Sequence, residues 1–186
     1  MPAVLNNIVG TKIRIVYGYP DGRDINLAME RGEVEGRATN PWQSYIATDP
    51  FYVDNKLIVP IIQMGVAREA ILPNVPLMRE LGKNADDQAV LDFMSKSVSV
   101  GRPVATTPGV PAERVAALRR AFDETFKDPM FMEEAQKQRA ELKPMSGVEL
   151  AQIVREIIEA PAALRERVKV VIQPSNAREV PGTKRE

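Results

Sequence analysis

The stretch GTKIRIVYGYPDGRDINLAMERGEVEGR, residues 10–37, decides the fold class. Ile13, Ile15 and Tyr17 alternate with Lys12, Arg14 and Val16, the two-residue period of a strand. Gly18-Tyr19-Pro20-Asp21-Gly22 then supplies turn chemistry. Asp24 to Arg31 follows as a helix with Ile25, Ala28 and Met29 on one face, and Gly32 stops it, as glycine does just past a helix end. Val34 to Ala38 reads as a short second strand. Strand, turn, helix, strand is a βαβ unit, which predicts an α/β fold with a parallel sheet.

Working outward, Thr39 to Val53 is loop-like and holds the only tryptophan, Trp42, beside Pro41. Leu57 to Gly65 has the apolar character of a third, fully buried strand. Pro73 and Pro76 bracket a turn into a short helix at Leu77 to Leu81, and Asp86 to Lys96 predicts another helix. Val98 to Thr107 reads as extended, closed by the Pro108-Gly109 turn. The last third is helical. Pro111 opens a helix whose stripe is Val115, Leu118, Phe122 and Phe126, at spacings of three and four that suit a core. Asp128-Pro129 starts a helix from Met130 to Leu142. Ser146-Gly147-Val148-Glu149 has the form of a capping box, opening a helix striped by Leu150, Ile153, Val154, Ile157 and Ile158. Pro161 begins a final helix to about Val171, and the polar tail from Gln173 predicts disorder.

Composition narrows the functional classes. The chain has 186 residues with 25 basic and 25 acidic side chains, so it lacks the basic excess of a nucleic-acid footprint. It contains no cysteine and no histidine, which excludes disulfides, thiolate chemistry and every Ser-His-Asp or Cys-His arrangement. No stretch approaches the roughly 20 apolar residues that span a bilayer. Met1 to Gly10 lacks the basic start and long apolar run of a secretory signal peptide. Carboxylate-only or lysine-based catalysis stays open, but no constellation in the sequence supports it, and a non-enzymatic protein without cofactor or metal is the leading expectation.

Two segments could meet a ligand. The turn before the Asp24 helix would present free backbone N–H groups and a positive dipole end to a carboxylate or phosphate. The competing reading is that Asp21 or Asp24 caps the helix itself. Neither a phosphate-binding GxxxxGK[ST] loop nor a GxGxxG fingerprint is present. The second segment, Thr39-Asn40-Pro41-Trp42-Gln43-Ser44, would lie beyond a strand's carboxyl end, where ligands of open α/β sheets bind. Its alternative is a surface loop pinned by a packed Trp42. Glu33 and Glu35 flank Val34 like a carboxylate pair, but a solvated strand end explains them better.

Taken together, residues 10–37, LPNVPLMRELG from Leu72, PVATTPGVPAERVAALRRAFDETFKDPMFMEEAQK from Pro103 and MSGVELAQIVREII from Met145 resemble, in order and spacing, the tripartite tricarboxylate transporter receptor family of Bug-type periplasmic solute-binding proteins. The resemblance runs to about Val171 and corresponds to the family's C-terminal portion. It implies part of a two-lobed, type II periplasmic-binding-protein-like fold, with residues 1–65 in the second lobe, 66–97 connecting and 98–172 returning to the first lobe. It also implies a small carboxylate-bearing solute, held between lobes through Tyr19, Gly22, Thr39 and Asn40, and delivery to the membrane subunits of a tripartite transporter. Family members carry a signal peptide and a first lobe ahead of the matched region and are periplasmic. The chain as written has neither, so a truncated, cytoplasmic product is the expectation if it is expressed in this form. A non-catalytic α/β interaction domain without a ligand is the alternative.

Overall fold

The computed structural model describes residues 1–38, 40–138, 140, 142–174 and 176–179. In order these form α1 (Pro2–Val4) running into a π-helical turn (Leu5–Val9), β1 (Ile15–Tyr17), α2 (Gly22–Glu30), α3 (Trp42–Thr48) and α4 (Pro50–Asp54). A 3-10 turn (Met78–Leu81), α5 (Ala85–Ser99), α6 (Ala112–Thr125), α7 (Pro129–Lys137), α8 (Gly147–Ile158), α9 (Ala162–Val171) and β2 (Ala177–Glu179) come next. The C-terminal region is helix-rich, as its sequence pattern predicts. The chain divides into two compact units. One comprises Met1–Pro41, Arg79–Leu91 and Pro161–Glu186, and the other Trp42–Met78 and Asp92–Ala160. These boundaries interleave along the chain, whereas the sequence-based lobes are consecutive.

In the first unit, Val4, Val90 and Leu91 are fully buried, joined by Ile8, Ile15, Ala28, Val168 and Val171. Two asparagines of the opening helical segment brace this core. The Asn6 amide donates to the Ile13 carbonyl at 2.7 Å and accepts the Ile13 N–H at 2.9 Å, standing in for a neighbouring strand just before β1. The Asn7 amide donates to the carbonyls of Val171 and Gln173, meeting acceptors that the end of α9 leaves without helical partners. A buried Asp87 is ion-paired to Arg167 at 2.5 Å and hydrogen-bonded to Asn84.

The βαβ expectation is corrected here. Residues 34–38 form no strand, and β1 pairs instead with β2, in parallel, with Ile15, Val16 and Tyr17 opposite Ala177, Arg178 and Glu179. The chain leaves α2 through a left-handed Gly32 (φ 70°), and the N–H groups of Gly32 and Glu33 bond back to Met29 and Ala28. That is a Schellman closure, which turns the next residues away from β1. Residues 177–179, expected to be disordered, supply the partner strand; residues 180–186 lie outside the described residues.

In the second unit, the part of the expected 39–53 loop that begins at Trp42 is two short helices, α3 and α4, with Pro50 opening the latter. The expected buried strand at Leu57 to Gly65 is absent. Leu57, Val59 and Ile61 are 57%, 75% and 73% exposed, and the segment makes a single parallel bridge, Gln63 to Leu77. Gln63 organises the turn between residues 66 and 76. Its side-chain amide donates to the carbonyls of Leu72 (3.0 Å) and Val75 (2.7 Å) and accepts the Glu69 N–H (2.8 Å). Of the stretch Val98 to Thr107, expected to be extended, Val98 and Ser99 close α5, and residues 100–107 follow it without forming a strand.

The helices of this unit start where the caps say. Asp128 accepts from the N–H groups of Met130 and Phe131, and Ser146 and Glu149 close a complete capping box. Phe122, Phe126 and Phe131 form a chain of rings with centroids 4.8 and 5.4 Å apart. The stripes on α6 and α8 nevertheless are not a closed core, since neither helix has a fully buried residue and Leu118 and Ile158 are exposed. The periodicity is real, but no described element seals it from water.

Candidate functional site

The most organised polar cluster lies in the first unit, at the start of α2. Asp21 is the N-cap: its carboxylate accepts the N–H groups of Arg23 (2.6 Å) and Asp24 (3.2 Å). Those backbone donors, and then the Arg23 charge, hold the Asp21 carboxyl below the usual range. Of the two readings offered by the turn, self-capping by Asp21 is therefore the observed one. The helix N-terminus already carries an anion, and it belongs to the chain.

Across the same turn lies Arg37, a half-buried residue that no sequence pattern marks. Its Nη1 donates to the Gly22 carbonyl and to the Asn26 side-chain oxygen, each at 3.0 Å, and its Nη2 donates to the Asn40 side-chain oxygen at 3.3 Å. Asn26 is buried, so its acceptor needs this partner. The guanidinium lies so close over Gly22 that a Cβ there would sit 2.7 Å from Cζ. Glycine is favoured there by that approach, not by an unusual backbone angle.

Two of the four residues implied by the resemblance, Gly22 and Asn40, thus share one guanidinium. Tyr19 is half-buried in the turn leading to α2, and Thr39 lies outside the described residues. A signal for Arg37 exists in the Gly36-Arg37 pair after the helix, but nothing in its spacing identifies a return to the turn. Chemically the cluster offers a fork-shaped cation and two side-chain amides, groups that suit a carboxylate.

The remaining candidates resolve structurally. Trp42, Gln43 and Ser44 open α3 in the second unit, where the Trp42 ring packs 6.1 Å from the buried Tyr45. That favours the pinned-surface reading for this part of the segment. Glu33 and Glu35 are exposed, and Glu33 pairs with Arg31 at 3.8 Å. Among the described residues no group of three acidic side chains is placed to hold a metal ion. No helix among them is long and apolar enough to cross a membrane. Comparison with protein-family models, curated proteins and solved structures finds no match to this chain.

Proposed function

We propose that this chain is a non-catalytic solute-binding component that takes a small carboxylate-bearing solute, as the receptors of tripartite tricarboxylate-type transport systems do. The observation that carries the reading is the Arg37 cluster, which joins Gly22 and Asn40 through one guanidinium. The motifs that suggest the family assign both positions to the ligand without reference to Arg37. In this reading the cluster is one wall of a site that closes between two lobes of a type II binding fold, and the loaded receptor passes its solute to membrane subunits. A carboxylate would meet the guanidinium fork, the Asn40 amide and Tyr19. The absence of histidine and cysteine from the composition supports binding over catalysis.

Thermal denaturation of the full chain against a panel of di- and tricarboxylates tests this. A genuine ligand at about 100 times its Kd adds about 2.7 kcal/mol and raises Tm accordingly. If no acid in the panel moves Tm, the solute-binding reading is lost.

A second reading has its own observation. The exposed row Leu57, Val59 and Ile61 is the kind of apolar surface that an interaction module presents. Sedimentation velocity across a concentration series distinguishes it: concentration-dependent association without any acid-induced shift favours the interaction module.

A further inference from the structure

We infer that Arg37 is the positioning residue of the α2 site, the group that fixes where Asn40 stands relative to Gly22. Arg37 lies 15 residues after Gly22 and 3 before Asn40, and its three bonds reach the turn, the buried face of α2 and the segment leading to Pro41. Residues 34–38, which carry Arg37, form no strand, so no ladder fixes their path. The Arg37 hydrogen bonds tie that segment to the helix. Nη1 serves two acceptors and Nη2 a third, an arrangement that needs the planar, two-pronged guanidinium. A lysine ammonium, one point charge at the end of a flexible stem, keeps the charge but cannot span all three oxygens.

The consequence for ligand binding rests on the solute-binding reading. If a carboxylate binds beside Asn40, its affinity depends on Arg37 twice: directly through charge, and indirectly because Asn40 is placed before the ligand arrives. Lysine restores the first and not the second, which separates positioning from simple attraction.

The experiment compares the full-length chain with its Arg37→Gln and Arg37→Lys variants by two readouts. Amide hydrogen exchange is followed at Asn40 and Ala38, and affinity is titrated with citrate and succinate as probes. Both substitutions should raise exchange at Asn40 and Ala38 by about tenfold, the scale of one lost charge-assisted hydrogen bond, while amides of α8 stay unchanged. Both should also weaken whichever probe the wild-type chain binds, with lysine failing to rescue it.

Unchanged exchange in both variants would overturn the inference with or without a ligand. So would faster exchange with undiminished probe binding, because the braced segment would then not serve the ligand. Full rescue of both readouts by Arg37→Lys would also overturn it, leaving charge alone as the cause. If exchange rises but neither probe binds the wild-type chain, the brace stands and the solute reading is what fails.

Discussion

At the residue scale, Gly22 and Arg37 form an interlock whose failure is specific. A methyl at position 22 collides with the end of a flexible side chain and not with backbone, so the chain can accept it by releasing the guanidinium. Gly22→Ala should therefore cost about what Arg37→Ala costs, on the order of 1–2 kcal/mol, and the double variant should cost no more than either alone. Urea unfolding of the four chains measures this; additive losses would show the two residues to be independent. Gln63 is the corresponding case in the second unit. Gln63→Leu preserves bulk but strands the Val75 carbonyl and the Glu69 N–H and takes one of two donors from the Leu72 carbonyl, so a loss of about 2–4 kcal/mol is expected. A lower urea midpoint with an unchanged m-value would confirm it.

At the scale of elements, local chemistry governs the helix starts, and that is why they are legible in the sequence. Ser146 and Glu149 sit three apart ahead of an apolar run, and α8 begins there; Asp128-Pro129 opens α7 in the same way. Ser146→Ala should cost about 1 kcal/mol, read as a lower Tm with faster amide exchange confined to the first turn of α8. The same cap carries a pH signature. Bonds from the Ser146 hydroxyl and backbone hold the Glu149 carboxyl below its ordinary value of 4.5, and Lys96 and Gln152 do so for Glu156. A depressed carboxylate stabilises the fold above its unfolded pKa and loses that contribution as pH falls through the folded value. Stability should therefore decline on acidification below about 4.5, and Glu149→Gln should flatten the decline; a Tm profile against pH decides. Strands are less legible, for a physical reason. The apolar run from Leu57 to Gly65 reports side chains that would gain by burial, not whether anything covers them, and here Leu57, Val59 and Ile61 stay in water. Residues 34–38 hold only one strong strand former, Val34, and a Schellman closure and the Arg37 bonds settle their path. Gly22 and Asn40 come as site residues from the resemblance, whereas Arg37 goes unseen because a return across 15 residues leaves no periodic trace.

At the scale of the whole molecule, the chain visits its first unit three times, in Met1–Pro41, Arg79–Leu91 and Pro161–Glu186. The pairing of β1 with β2, the Asn7 bonds to Val171 and Gln173 and the Asn176 bond to Ile13 close that unit with residues more than 160 positions apart. A chain ended at Gln173 should lose exchange protection at Ile15 to Tyr17 while the amides of α8 keep theirs, because α8 belongs to the other unit. Equal loss in both units would show that they unfold as one. The same closure sets a schedule for synthesis. A ribosome making about 5–20 residues per second emits Ile15 many seconds before Ala177, so β1 waits unpaired while the helices between them can already form. Until its partner emerges, that strand is an open edge, exposed to proteases and to mispairing.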